Sequence, residues 1–256
     1  MLRFSFVIFL SMCFSLFLIA QDRLPSRVHS WTQLEQRENG GRISRPILEG
    51  STTHLEYYEI HATTIAPGTE PHPAHEHLDE ELLIVKEGHL EVTIGDQVEL
   101  LGPKSIALIQ PHKMHGFRNS GDSPATYYVL RYRSRAGMNA ARAEENGGSI
   151  LKDFNSLVYR EHDKGGRRNY FDRPTAMCED FEMHMTNLKE DTDSHAPHTH
   201  VVEEIILITE GEVEMHIDGQ WFKAFPGDLV FLDSMVPHAA RNVGSGQCQY
   251  FAFQWK

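Results

Sequence analysis

Basic side chains are scarce. Lys and Arg number 24 against 36 Asp and Glu in 256 residues, a formal charge of −12 at pH 7. Affinity for phosphate backbones depends on an excess of cations, so nucleic acid is excluded as the main partner and anionic membrane surfaces are disfavoured on the same ground. Cysteine is nearly missing, with three in the chain. Also missing are a Gly-rich phosphate loop, a Gly-x-Ser-x-Gly nucleophile elbow and a helical His-Glu pair, which removes the sequence signatures of several common enzyme classes. With 40% hydrophobic and 23% charged residues, the chain is neither disordered nor collagen-like and holds enough apolar material for one large or two ordinary domains. What it has in plenty is histidine, 16 residues, a side chain suited to metal ligation and proton transfer.

The first twenty residues stand apart. Met1 to Ala20 carries one basic residue, Arg3, then an apolar stretch from Phe4 that turns polar at Gln21-Asp22. It reads as a signal peptide cut after Ala20, which makes the mature protein secreted or periplasmic and free of the membrane. Leu18 stands three before the cut, where a small residue is usual, so an uncleaved anchor is the alternative. The remaining cysteines, Cys178 and Cys248, either form a disulfide in an exported protein or are two buried free thiols.

An internal repeat organises the rest. A shift of 123 residues superposes His75 on His198, His77 on His200, Glu81 on Glu204, Gly88 on Gly211, His115 on His238 and Asn119 on Asn242 without a gap. A constant offset means duplication. The match extends upstream, where Glu59 to Thr63 faces Glu182 to Thr186, and less regularly to Gly40-Gly41-Arg42 and Gly165-Gly166-Arg167. Two homologous domains follow, at 22–135 and 150–256, joined by a linker at 136–149 whose alanines and glutamates read as a short helix stopped at Asn146-Gly147-Gly148.

Within each repeat the pattern is strand and turn. Apolar runs at 82–85 and 205–208 are followed by Glu-Gly turns at Gly88 and Gly211, and then by alternating segments at 90–94 and 213–217. Gly95-Asp96 and Asp218-Gly219 are hairpin signals. Many short, evenly spaced strands indicate an all-β fold with an antiparallel sandwich or barrel in each half.

The chemistry sits in His75, His77, Glu81 and His115, repeated as His198, His200, Glu204 and His238. Strand residues two apart point to one face, so the two leading histidines of each set are expected to project together, with the glutamate in the same parity. Three neutral imidazoles and a carboxylate suit a divalent transition ion, whether manganese, iron, zinc, nickel or copper, with positions left for water or substrate. Two ions per chain are expected because neither repeat has lost a ligand.

At these residues the chain resembles the cupin superfamily. The first cupin motif, Gly-x(5)-His-x-His-x(3,4)-Glu-x(6)-Gly, is matched by His75, His77, Glu81 and Gly88 and by His198, His200, Glu204 and Gly211, while its leading glycine stands one residue further off at Gly68 and is Lys189 or Glu190 in the second repeat. The second motif is matched at Gly227, His238 and Asn242 and at His115 and Asn119, without its central Pro-x-Gly, whose places hold Asp233 and Met235 in one repeat and Gln110 and Lys113 in the other. The resemblance implies two tandem jelly-roll domains in a bicupin, metal in both, and a homodimer through the sheets. It leaves the reaction open, since cupins include dioxygenases, decarboxylases, isomerases and non-enzymatic binders. Oxalate decarboxylase-like bicupins carry arginine three places before the first motif histidine, where this chain has His72 and His195.

Those two histidines are the first candidates for proton transfer beside a bound small molecule, with Glu59 and Glu182 next. Glu59, His61 and Thr63 share a strand face, as do Glu182, His184 and Thr186, and the alternate positions are apolar. Strand statistics favour water over the barrel interior for the polar face. The expected function is metal-dependent Lewis-acid or dioxygen chemistry on a small oxygenated substrate such as a sugar acid, keto acid or catechol, the alternative being ligand binding without turnover.

Overall fold

The computed structural model describes residues 23–256, so the leader read at 1–20 lies outside the described residues. The first repeat forms β1 (Arg27–His29), β2 (Arg37–Asn39), β3 (Arg42–Gly50), β4 (Leu55–Ile65), β5 (Glu80–Glu87), β6 (Leu90–Ile94), β7 (Gln97–Leu101), β8 (Ile106–Ile109), β9 (His115–Arg118) and β10 (Ala125–Ser134). Helix α1 (Ala140–Glu145) follows. The second repeat forms β11 (Ile150–Lys152), β12 (Arg160–His162), β13 (Gly165–Arg173), β14 (Phe181–Leu188), β15 (Glu203–Glu210), β16 (Val213–Ile217), β17 (Gln220–Ala224), β18 (Leu229–Leu232), β19 (His238–Asn242) and β20 (Cys248–Trp255). The fold is all-β, as the strand pattern implies, and forms the two tandem jelly rolls that the cupin resemblance implies.

Local chemistry explains the turns. Asp218 and Gly219 sit at φ 47° and 85°, the left-handed pair that a two-residue hairpin between right-twisted strands requires. Gly88 and Gly211 have φ 76° and 77°, and a Cβ there would lie 2.8 Å from the Cα of Ala125 or of Cys248, so the motif glycine is fixed by conformation and by close approach together. Helix α1 is capped by Asn139, whose side chain accepts from Arg142 N–H at 3.0 Å, and it ends before Gly147 and Gly148 at φ 94° and 67°.

Each jelly roll has a seven-stranded and a three-stranded sheet. The large sheets run β11-β8-β5-β10-β4-β3-β2 and β1-β18-β15-β20-β14-β13-β12, and the small ones β7-β6-β9 and β17-β16-β19. The repeats trade their first strands, with β1 pairing β18 antiparallel in the second domain and β11 pairing β8 in the first. Chain order and sheet membership therefore diverge at the start of each repeat.

The two large sheets pack face to face. Their shared core contains Tyr58, Ile60, Ala62, Leu82 and Ile84 from one domain and Phe181, Met183, Met185, Phe253 and Trp255 from the other. The alternate residues on the same strands, among them Leu83 and Val85 or Ile206 and Ile208, fill separate cores inside each barrel. Cys178 belongs to the shared core and Cys248 to the second barrel's own core, both buried and unpaired, so the free-thiol alternative holds.

A reciprocal pair of buried carboxylates ties the domains together. Glu80, fully buried, accepts from Thr175 Oγ1 at 2.7 Å, Ala176 N at 3.1 Å and Met177 N at 3.0 Å. Glu203, also fully buried, accepts from Thr52 Oγ1 at 2.7 Å, Thr53 N at 2.5 Å, His54 N at 3.2 Å and Trp255 Nε1 at 2.8 Å. Burial pushes both carboxyls above the usual carboxylate range, which the converging donors partly offset.

Candidate metal centres and their cavities

Glu81 follows Glu80, the first residue of β5, and strand alternation turns it to the opposite face, into the barrel. His75 and His77 are not on that strand, contrary to the single strand face expected from their spacing. They lie in the segment before β5, and His75 reaches its place by an isolated bridge to His115 with paired N–H···O contacts of 2.9 Å. His198 is held in the same way against His238. A loop residue bridged to β9 or β19 brings the early and late ligands together, and sequence parity has no part in it.

The assembled sets are compact. One ring nitrogen from each of His75, His77 and His115 lies within 4.8 Å of the others, and the same is true of His198, His200 and His238. Glu81 Oε2 is 3.0 Å from His77 Nε2 and 3.9 Å from His115 Nε2. Glu204 Oε2 is 3.5 Å from His200 Nε2 and 3.1 Å from His238 Nε2. In four of the six imidazoles Nδ1 donates to a main-chain carbonyl: His77 to Asp79 at 3.0 Å, His115 to Lys113 at 2.8 Å, His200 to Val202 at 2.9 Å and His238 to Val236 at 2.8 Å. That bond fixes the tautomer and leaves the Nε2 lone pair facing the cluster, as a metal ligand requires.

The donor set fits a divalent ion on a second ground. His115 Nε2 and Glu81 Oε1 are buried with no hydrogen-bond partner, a cost that a coordinated cation would remove. Titration behaviour agrees. Burial, then the neighbouring imidazoles, lowers His75 to about 4, and burial lowers His115 and His198. Burial pushes Glu204 up but is outweighed by the adjoining His200 and His238 imidazoles, which hold it at about 2. His200 is raised, chiefly by the Glu204 carboxylate 3.5 Å away. Protons compete with the ion for every imidazole, so on acidification the metal-loaded protein is expected to lose its ions progressively below about pH 6. Native mass spectrometry across pH 7 to 4 checks this, and full retention of both ions at pH 4 would contradict it.

Each set opens into a cavity, of about 550 Å³ in the first domain and about 400 Å³ in the second. Glu59, His61 and Thr63 line the first with His72, Tyr127 and Arg131, while Glu182, His184 and Thr186 line the second with Arg167, Tyr250 and Gln254. The preference for water at this polar face is thus corrected. The apolar alternates, Tyr58, Ile60 and Ala62, are claimed by the other domain's sheet, which leaves the barrel interior to the polar side.

The expected proton-transfer residues are all placed at the cavities, but differently. His72 and His195 sit at the rim, Nδ1 donating to the neighbouring carbonyl of Pro73 or Ala196, with their rings edge-on to His75 and His198 at 4.4 and 4.2 Å. Glu59 and Glu182 are on the wall. Glu59 accepts from His61 Nδ1 at 3.0 Å and Tyr57 Oη at 2.6 Å and is held at about 2 by the His61 bond first, with burial opposing. Glu182 accepts from His184 Nδ1 and Gln254 Nε2, each at 2.8 Å, and from Arg167. Burial raises it and the His184 bond prevails, so it too is lowered. Sequence reasoning passed over Arg131, which pairs with Asp79 and stands 3.8 Å from Glu59. The 123-residue offset was the available signal, because it sets Arg131 against Gln254 and marks where the two walls differ.

The motif residues outside the ligand sets are structural. Asn119 Nδ2 donates to Ile65 O and Ser123 O while its Oδ1 accepts from Gly121 N, and Asn242 repeats this at Leu188, Gly246 and Gly244. The left-handed turn that the second motif assigns to glycine is kept by Met235 at φ 64° and by His112 at φ 60°. The place read as Lys113 is therefore His112.

A model of the cupin domain matches residues 61–131 and 184–253, more than half of the chain. The chain belongs to the cupin family. No curated protein matches it in sequence. Among solved structures this cupin is similar to AerE from Microcystis aeruginosa, at 17% identity and TM-score 0.69 over 87% of this chain and 97% of that one. It is also similar to YlbA from E. coli, at 14% identity and TM-score 0.67 over 90% of each chain. A third structure, a formate complex of oxalate decarboxylase from Lactobacillus farciminis, aligns at 12% identity and TM-score 0.70 over 92% of this chain and 87% of that one. These likenesses establish the bicupin architecture.

Proposed function

We propose that this cupin is an exported metalloenzyme that binds one divalent transition ion in each domain and acts on a small oxygenated molecule. The observation that carries the reading is the duplicated His3Glu set opening into a cavity with charged walls. His75, His77, Glu81 and His115 would hold one ion and His198, His200, Glu204 and His238 the other. A bound ion there supplies Lewis acidity toward a carbonyl or carboxylate oxygen, or dioxygen binding if it is iron.

The wall charges narrow the substrate. Arg37, Arg42 and Arg131 are balanced by Glu49, Glu59 and Glu81 in the first cavity, and Lys164 and Arg167 by Glu182 and Glu204 in the second. A dication added to a balanced wall leaves it positive, which favours a substrate bearing an anionic oxygen. The decarboxylase neighbour with bound formate is a case of a small carboxylate in this architecture. The test is a screen of purified, metal-loaded protein against sugar acids, keto acids and catechols with product detection. Turnover that stops on chelation and returns on metal addition is expected, and saturable binding without product across the screen would overturn the enzyme reading.

A further inference from the structure

Each cavity contains an imidazole–carboxylate pair that is not part of the ligand set. His61 and Glu59 occupy one face of β4, with His184 and Glu182 at the matching places on β14. The carboxylates are ionised and can only accept, so Nδ1 of each histidine must be the donor. A neutral imidazole has one N–H, so Nε2 is left with its lone pair. Among the described residues nothing hydrogen-bonds either Nε2, and both rings line the cavities that hold the ligand sets. The side chains are 24% and 15% exposed, shielded from bulk water yet open to a bound molecule.

The groups that hold the carboxylates differ between domains, and the pairs do not. Tyr57 and Arg131 secure Glu59, whereas Arg167 and Gln254 secure Glu182. An anion on the wall of a cavity suited to anionic substrates works against binding unless it serves another purpose, and backing an imidazole is such a purpose. The rim histidines are worse placed, because His72 and His195 press edge-on against ligand rings, where a bound dication disfavours the imidazolium.

We propose that His61 and His184 take and return protons in the two cavities, each aimed by the carboxylate behind it, on a small 2-oxo acid. This rests on the metalloenzyme reading above. Nε2 takes a proton from the carbon next to the carbonyl. The C–H pair becomes a C=C bond, the carbonyl pair moves to oxygen, and the imidazolium's positive charge falls beside Glu59 or Glu182. Return of a proton to carbon restores the imidazole, so the step needs no oxidant or reductant.

Zinc-loaded protein with 15N-labelled histidine tests both parts, with pyruvate as the probe. Long-range 1H–15N spectra should show His61 and His184 protonated at Nδ1 and bare at Nε2, and Glu59→Gln and Glu182→Gln should lose that tautomer preference. In D2O the zinc protein should exchange the pyruvate methyl protons faster than zinc and buffer alone. The double variant His61→Gln/His184→Gln should slow that exchange about a hundredfold while keeping two zinc ions. An Nε2–H tautomer in the wild type overturns the proposal, as does exchange that survives in the double variant or is lost instead in His72→Gln/His195→Gln. A wild type with two zinc ions and no exchange overturns the proton-transfer assignment and leaves the metal centres standing. A wild type that binds no zinc overturns the underlying reading.

Discussion

Replacing Glu80 or Glu203 by alanine is expected to destabilise the protein by about 3 kcal/mol or more. Each carboxylate accepts from three donors of the other repeat, and Glu203 accepts from Trp255 of its own repeat as well. A buried donor left without its acceptor costs about 1–3 kcal/mol, and some of that is recovered by relaxation or entering water. For a chain of this size 3 kcal/mol corresponds to a fall of roughly 6–12 °C in melting temperature. Calorimetry of Glu80→Ala, Glu203→Ala and the matching Gln variants checks this, with the Gln variants losing less because one acceptor oxygen remains. Because the clamp closes on the shared core of Tyr58, Phe181 and Trp255, the two domains should melt in one transition in the wild type. An alanine variant within 1 °C of wild type would show that the clamp carries no net stability.

Metal loading is expected to raise the melting temperature in two equal parts. An ion that binds the folded state alone stabilises it by about 4 kcal/mol when present at a thousandfold excess over its Kd, so two sites together add roughly 8 kcal/mol. His77→Ala and His200→Ala should each halve the shift between chelated and metal-loaded protein, and the double variant should abolish it. The removed residues are partly exposed, with His77 14% and His200 24% accessible at the side chain, so the apo forms of the variants should melt close to apo wild type. A metal-independent melting temperature in the wild type would contradict this expectation.

The sequence disclosed the ligands more readily than the surfaces. His75, His77, Glu81 and His115 were found because their spacing recurs after 123 residues, and a metal centre constrains spacing as a core residue does not. The face of Glu59, His61 and Thr63 was misread for a physical reason. Alternation tells that a strand has two unlike sides, but whether the apolar side is met by the barrel's own second sheet or by another domain depends on packing that periodicity does not encode. Here the other domain takes Tyr58, Ile60 and Ala62, and the polar side turns inward.

The exchanged strands were hidden for a different reason. Arg27-Val28-His29 is a three-residue strand with one apolar side chain, too short for any pattern, and its place on β18 follows from long-range geometry. Glu80 and Glu203 were masked by their neighbours. Each precedes a ligand glutamate, and one acidic pair on a strand serves two faces, the clamp with its first member and the metal set with its second. Substitution at the turn of the second motif was visible but misplaced by one residue, since only the φ of 60° at His112 identifies which side chain stands in for glycine.

Native mass spectrometry of the purified chain, reconstituted with manganese or zinc and desalted, tests the central claim most directly. Two independent centres predict two ions in the wild type, one in His77→Ala, one in His200→Ala and none in the double variant. One ion or none in the wild type, or loss of both ions on either single substitution, would contradict it.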